Sequence, residues 1–150
     1  MASTTYQYEP LTSESSFRIL RLLTVHPGFA PAYTIEIELW EADFARPPVF
    51  EAISYAWGQE EANAIITCNS LPLRVTPNVL SILTALLQRP DSSRLLWIDS
   101  ICINQTSVAE RNMQVPRMRS IYSPGGKSLG MAWRGIVRIG HCFWFHLGSK

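Results

Sequence analysis

The segment LWIDSICINQ, residues 96–105, decides the fold of this 150-residue chain. The overlapping apolar run RLLWI, residues 94–98, predicts a short buried strand that ends where Asp99 begins a polar loop. Open α/β sheets bind their ligands outside the carboxyl ends of strands. Asp99, Asn104 and Gln105 are therefore candidates for a polar pocket able to hold the sugar or the amide of a nucleotide.

The same residues also have a purely structural interpretation. Asp99 and Asn104 belong to the residue types that tighten loops through hydrogen bonds from side chain to backbone. Glu110, a carboxylate further along the chain, is equally accounted for as the partner in a helix cap. The sequence leaves both interpretations open.

Two predicted helices flank this segment. The first begins at Pro77, after the capping residue Thr76, and ends before Pro90. The second begins after Ser107, because Ser107 and Glu110 form an S-x-x-E capping box in which each side chain satisfies the other's backbone N–H.

The buried face of the second helix is predicted from helical spacing, and it consists of Val108, Val115, Met118 and Tyr122. Pro116 interrupts this helix, since an interior proline removes a hydrogen bond and costs about 3 kcal/mol. We therefore expect a kink at Pro116 or an earlier end of the helix.

Strands are predicted in front of the helices. Ile35, Ile37 and Leu39 alternate with glutamates, which is typical of a strand with one face in solvent. Glu51 is expected to be an exposed residue on a later strand. Short apolar runs predict the strands over residues 17–24, 33–40, 50–57, 64–68 and 73–75. Strands followed by strand, helix, strand and helix indicate an α/β domain.

The composition is that of a globular domain, with 47% hydrophobic residues and a net charge of +1. It excludes a disordered tail and a polybasic nucleic-acid binder. The charges are nevertheless divided: all 12 acidic residues lie at or before Glu110, whereas seven of the 13 basic residues lie after it. From residue 123 onward the sequence predicts no helix or strand. Its apolar stretch, residues 135–148, is too short to span a bilayer, which needs about 20 residues.

Three blocks of sequence carry a family resemblance. They are FEAISYAWG at residues 50–58, LRVTPNVL at residues 73–80, and LWIDSICINQ, which continues through Glu110-Arg111, Gln114-Val115, Met118 and Ile121-Tyr122. Together they resemble the heterokaryon incompatibility (HET) domain of filamentous fungi. The resemblance divides the chain into lead-in strands over residues 1–49, a partial HET domain over residues 50–122, and a tail outside the family pattern over residues 123–150.

The resemblance implies a role in fungal non-self recognition, in which HET domains trigger programmed cell death after incompatible cells fuse. It also implies a TIR-like α/β sandwich with a mostly parallel sheet, incomplete in this chain. Two alternatives are a TIR-like hydrolase of NAD or a related nucleotide, and an inert truncated product. The candidate catalytic carboxylates are Glu110 and Asp99, and the candidate binding residues are Asn104, Gln105, Trp57 and Gly58.

The tail has its own hypothesis. Family pattern and acidic residues are both missing after residue 123, and six of the eight glycines crowd there. One set of codons for Gly126-Lys127-Ser128 contains the start of an intron. We therefore expect translated intron or a mis-set gene boundary, which a comparison of the gene with its transcript tests.

No metal site or cofactor is predicted. Cys102 lies between two isoleucines and is interpreted as a small buried hydrophobe, and no histidine lies near it in sequence. Three cysteines without a C-x-x-C pair, together with no secretory signal, indicate a reducing and cytoplasmic location. The candidate partners are a second copy of the chain or another incompatibility protein, and neither nucleic acid nor membrane is expected as a partner.

Overall fold

The computed structural model describes residues 4–23, 35–55, 59–89, 95–122 and 133–139. Within these ranges it contains seven strands and three helices. The strands are β1 (Ser16–Leu22), β2 (Glu36–Asp43), β3 (Phe50–Tyr55), β4 (Ala64–Cys68), β5 (Leu71–Val75), β6 (Leu95–Ile98) and β7 (Trp133–Ile139). The helices are α1 (Pro77–Leu87), α2 (Asp99–Cys102) and α3 (Val108–Tyr122).

All seven strands form one mixed sheet in the order β5-β4-β2-β1-β6-β3-β7. The pairs β5–β4, β2–β1 and β1–β6 are antiparallel, and the pairs β4–β2, β6–β3 and β3–β7 are parallel. The predicted α/β class is therefore confirmed, but the prediction of a mostly parallel sheet is wrong. The reason is β1, which lies between β2 and β6 near the centre of the sheet and runs antiparallel to both.

The hairpin of β4 and β5 turns on two residues in the left-handed region. Asn69 has a φ of 48° and Ser70 a φ of 69°, which matches a two-residue turn of the primed type. The Asn69 side chain also accepts a hydrogen bond from Leu39 N and donates one to Leu39 O, both at 2.9 Å. The turn therefore fastens the hairpin to β2.

Helix α1 forms as predicted. Pro77 occupies its first turn, and the hydroxyl of the capping residue Thr76 accepts a hydrogen bond from Val79 N at 3.3 Å. Four apolar residues of the helix are buried in the core, namely Val79, Ile82, Leu83 and Leu86.

The core contains aromatic side chains from four segments. Phe17 of β1 stacks on Phe44 with ring centroids 4.3 Å apart, and Phe50 of β3 lies 5.8 Å from Phe17. Trp97 of β6 is also fully enclosed. The first strand, although it precedes the HET-like segments, is thus central to the hydrophobic core.

Glu51 corrects one prediction, because it is buried instead of exposed. It lies on β3, which is paired with β6 on one side and β7 on the other. Its Oε2 lies 3.9 Å from Nη1 of Arg89. β3 is parallel to both neighbours and its residues 50–53 are all buried, so period-2 reasoning about a solvent face does not apply to it.

The predicted buried face of α3 is also wrong. Val108 and Val115 are 59% and 53% exposed, whereas Glu110, Gln114 and Ile121 are buried. Met118 is partly buried, and the side chain of Tyr122 lies outside the described part of the structure. Glu110 and Gln114 can be buried on the inner face of α3 because each has a hydrogen-bonding partner on β1.

Pro116 lies inside α3, which runs on to Tyr122, so the helix does not end early and the alternative, a kink at Pro116, stays a prediction. The tail was predicted to contain no regular element, yet β7 lies there and pairs with β3. The remainder of residues 123–150 lies outside the described ranges. Among the described helices, none is long and apolar enough to cross a membrane.

Candidate functional site

The candidate site lies at the carboxyl ends of two parallel neighbours, β3 and β6. Tyr55 ends β3, and Asp99 follows β6 directly. Burial raises the pKa of the Tyr55 phenol and the negative charge of Asp99 raises it further, while the nearby Ser100 hydroxyl acts in the opposite direction. This is the edge at which open α/β sheets bind ligands.

The chain after β6 was predicted to be a loop, and it begins instead as the single helical turn α2. The Asp99 carboxylate accepts a hydrogen bond from Ser100 N at 2.8 Å. The Asp99 carbonyl accepts two, from Ile103 N at 3.1 Å and from Gln105 Nε2 at 3.0 Å. These are hydrogen bonds of the loop-tightening kind, and the role of Asp99 in a ligand pocket stays a prediction.

Asn104 closes the loop in the same manner. Its Oδ1 accepts hydrogen bonds from Thr106 N at 3.2 Å and from the Thr106 hydroxyl at 2.7 Å. Its carbonyl accepts one from Ser107 N at 3.1 Å. Asn104 and Gln105 are both half-buried, so parts of both amides remain accessible to a partner.

Glu110 is held by an arginine that is distant in sequence. Its Oε2 accepts a hydrogen bond from Arg18 Nη2 at 3.0 Å, and its Oε1 accepts one from Arg18 Nη1. The two side chains are only 8% and 5% exposed. A two-pronged pair of this kind is the strong geometry for a guanidinium and a carboxylate.

Only half of the predicted capping box forms at the start of α3. Ser107 Oγ accepts from Glu110 N at 3.2 Å, as predicted. The Glu110 carboxylate, however, accepts from Asn104 N at 2.9 Å instead of from Ser107 N. Glu110 is therefore a structural link between α3, the loop and β1, with both of its oxygens occupied.

The second polar residue on the inner face of α3 is Gln114. It is 2% exposed, and its Nε2 donates to the carbonyl of Ser16 at 3.0 Å. Glu110 and Gln114 are one helical turn apart, and both reach β1. The inner face of α3 is thus attached to the first strand by these polar contacts, and Ile121 further along the helix is buried in the core.

The N-terminal segment completes the surroundings of the loop. The Tyr8 hydroxyl donates to Ile101 O at 2.7 Å, and Arg18 Nη1 donates to Cys102 O at 3.3 Å. The Arg18 guanidinium lies over the Tyr8 ring, 5.1 Å from its centroid. Burial raises the pKa of the Tyr8 phenol, so this hydroxyl remains a donor at every physiological pH.

The two described cysteines, Cys68 and Cys102, are buried thiols that stay protonated near neutral pH. Cys102 is 2% exposed, and burial raises the pKa of its thiol to about 12. Burial raises the pKa of Cys68 to about 12 as well. Nucleophilic cysteines need the thiolate near neutral pH, so the interpretation of Cys102 as a buried hydrophobe agrees with its environment. Within the described ranges, no group of three or more His, Cys, Asp and Glu side chains is placed to hold a metal ion.

An open cleft of about 560 Å³ lies beside the loop. One wall is the N-terminal segment with Tyr6, a second is the junction of β5 and α1 with Arg74, and the third is the loop with Ser100, Asn104 and Gln105. The cleft therefore brings together two of the predicted binding residues. The other two, Trp57 and Gly58, lie outside the described residues.

The segments that form this site match a known protein family. The family model described as "Heterokaryon incompatibility protein (HET)" matches residues 50–133, more than half of the chain and the whole of the loop and α3. The chain belongs to the HET family. The HET resemblance inferred from the sequence is therefore confirmed.

A relative of this HET-family chain is "Heterokaryon incompatibility protein 6, OR allele" from Neurospora crassa, a fungus. The two are 32% identical over 136 residues, covering 81% of this chain and 20% of the relative. The chain thus spans about a fifth of the relative's length. No solved structure matches, so the TIR-like part of the fold prediction stays a prediction.

Sequence reasoning missed Tyr8 and Arg18, the two residues that hold the loop from outside the matched range. One signal was present. Arg18 shares a strand face with Leu20 and Leu22, and a charged residue on a buried face is almost always paired. Glu110 was predicted to be the capping-box partner of Ser107. Because it lies 92 residues from Arg18, the sequence did not indicate that the two side chains pair.

Proposed function

We propose that this chain acts in fungal non-self recognition and triggers programmed cell death. The observation that carries the proposal is the HET family match over residues 50–133. The relative's printed name, which refers to heterokaryon incompatibility, supports the same process. Because the chain spans only about a fifth of that relative, the activity of the longer protein is carried over as a proposal.

The geometry favours recognition over turnover. The loop after β6 presents half-buried amides on a rigid support, which is the usual arrangement of a binding loop. The Glu110 carboxylate is buried and already shared between Arg18 and Asn104 N. A catalytic carboxylate needs an open side toward its substrate, so Glu110 fits a structural role better.

Inducible expression of the chain in a filamentous fungus tests the proposal. The expected result is growth arrest and uptake of a viability dye soon after induction. Gln105→Ala, which removes an amide that lines the cleft, should weaken the response. Arg111→Ala, an exposed change on α3 outside the cleft, is the matched control and should leave the response intact. Normal growth at a confirmed level of soluble wild-type chain would overturn the proposal.

The enzymatic alternative rests on Asp99. Its position beside the carboxyl ends of β3 and β6, next to the cleft, is where a TIR-like fold would place its nucleotide chemistry. Incubating the purified chain with NAD tests this. Recognition without turnover predicts unchanged NAD, whereas consumption that disappears in Asp99→Asn favours the hydrolase.

We further propose that the chain acts in the cytoplasm and that its partner is a second copy of itself or another incompatibility protein. Light scattering on the purified chain distinguishes these two partners. A dimer or larger species supports self-association. A monomer at every concentration leaves the second incompatibility protein as the proposed partner, to be tested by co-purification from an incompatible strain.

A further inference from the structure

We propose that Tyr8 and Arg18 are positioning residues for the loop over residues 99–106. Both precede the range matched by the family model, which begins at residue 50. The working unit of this HET-family chain therefore includes the N-terminal segment and β1. What the loop recognises rests on the proposed function, but the positioning itself does not.

Helix α2 is too short to satisfy its own backbone. A helix leaves its last four carbonyls without internal partners, and α2 has four residues in all. The Asp99 carbonyl is satisfied locally by Ile103 N. The carbonyls of Ile101 and Cys102 accept hydrogen bonds from residues distant in sequence, the Tyr8 hydroxyl and Arg18 Nη1.

The next backbone group is fixed through an intermediary. Asn104 N donates a hydrogen bond to Glu110 Oε1. The same carboxylate accepts hydrogen bonds from both terminal nitrogens of Arg18. The planar fork of a guanidinium sets the orientation of a carboxylate in a way that a point charge does not. Arg18 therefore positions Asn104 through Glu110.

Arg18 is itself held firmly enough to serve as a support. It lies on β1, which is hydrogen-bonded to β2 on one side and β6 on the other. Its Nη2 donates to Glu9 O at 2.6 Å, and the Tyr8 ring covers its guanidinium. Side chains locked by packing and hydrogen bonds on a central strand are the best supports for a binding loop.

The positioning role predicts a local effect, which amide hydrogen exchange can separate from a general loss of stability. Arg18→Met removes the fork while keeping most of the apolar stem. The Asn104 amide should then exchange about tenfold faster than in the wild type, the factor that corresponds to about one hydrogen bond. Arg21→Met is the matched control: Arg21 lies on the same strand, pairs with Glu38, covers Trp40 and is half-exposed. It should leave the exchange rate of the Asn104 amide unchanged.

Tyr8→Phe decides the question if Arg18→Met fails to fold. It removes only the hydroxyl that donates to Ile101 O, and the amides of Ile103 and Asn104 should still exchange faster than in the wild type. Unchanged exchange rates of these two amides in the folded variants would overturn the proposal.

The growth-arrest assay supplies the functional readout. Folded Arg18→Met or Tyr8→Phe should arrest growth less than the wild type, and Arg21→Met should match it. If the wild type itself gives no arrest, the proposed function fails, while the exchange rates of the Asn104 amide still decide the positioning role.

Discussion

The guanidinium of Arg18 and the carboxylate of Glu110 form a two-pronged ion pair across 92 residues of sequence, and both are less than a tenth exposed. The pair joins β1 to α3 and, through Asn104 N, to the loop after β6. A buried ion pair adds little net stability over a well-packed apolar pair, because both charges lose their water. The pair instead favours one arrangement of β1, α3 and the loop after β6, because both charges are satisfied only in that arrangement.

Breaking the pair on one side should be severely destabilising. Arg18→Leu leaves the Glu110 carboxylate buried without its cation, and such changes lower the free energy of unfolding by about 3 to 5 kcal/mol. Arg21→Leu on the same strand removes a half-exposed pair with Glu38 and should change it by less than about 1 kcal/mol. Urea unfolding measures both. Equal losses in the two variants would contradict the structural role of Arg18.

The β4–β5 turn offers a stabilising change. Ser70 has a φ of 69°, a conformation that is unfavourable for a residue with a Cβ and free for glycine. Ser70→Gly should raise the free energy of unfolding by about 0.5 to 1 kcal/mol, after the entropy cost of glycine in the unfolded chain. A higher urea midpoint checks this, and a lower one would show that the turn has another geometry.

Asn69 in the same turn should respond in the opposite direction. Its side chain makes two hydrogen bonds with the backbone of Leu39. Asn69→Ala removes both hydrogen bonds. It also places alanine at a positive φ, which asparagine tolerates better, so the free energy of unfolding should fall by about 2 kcal/mol. Thermal unfolding measures it. An unchanged midpoint would mean that the hairpin does not depend on its contact with β2.

Two neighbouring residues of α3 test which face of the helix is buried. Gln114→Ala removes the donor to Ser16 O and leaves a buried carbonyl unsatisfied, with an expected loss of about 1 to 3 kcal/mol. Val115→Lys alters a side chain that is 53% exposed and should change stability by less than about 0.5 kcal/mol. The reverse ranking in urea unfolding would restore the apolar face predicted from helical spacing.

The buried thiols predict a loss of stability at alkaline pH. The pKa of Cys102 is about 12 in the folded chain and about 8.5 in an unfolded one, so the unfolded state gives up its proton first. The raised folded pKa means that the contribution is fully present below about pH 8.5 and is lost as the pH rises toward 12. Between about pH 8 and pH 10 the loss is about 2 kcal/mol. Cys102→Ala should remove this loss and leave the similar loss from Cys68, and an unchanged slope would contradict the burial of the Cys102 thiol.

Local features of the fold were predictable because local interactions determine them. Thr76 and Pro77 specify the start of α1, and the alternation of Ile37 and Leu39 identifies β2. The loop after β6 carries enough polar residues to draw attention to Asp99 and Asn104. These predictions depend on residues close together in the chain. Helix α1 and strand β2 form where they were predicted, whereas Asp99 begins a helical turn and the role of the polar residues in a site stays a prediction.

Pairings between distant segments were not predictable in this way. Nothing near Arg18 indicates that β1 lies between β2 and β6, so nothing in the sequence contradicted the mostly parallel sheet that the family resemblance implied. The inner face of α3 was misassigned because Glu110 and Gln114 look like surface residues until their partners on β1 are known. Glu51 was misassigned for the same reason, since its burial depends on neighbouring strands.

The central claim is that the Arg18–Glu110 pair couples the first strand to the HET loop, and a double-mutant cycle tests it most directly. Arg18→Met, Glu110→Leu and the combined variant are compared with the wild type by urea unfolding. The double variant should be less destabilised than the sum of the single changes, with a coupling free energy of about 2 kcal/mol or more, because each single change leaves a buried charge unpaired. Losses that add to within about 0.5 kcal/mol would show that the two side chains act independently and would contradict the account.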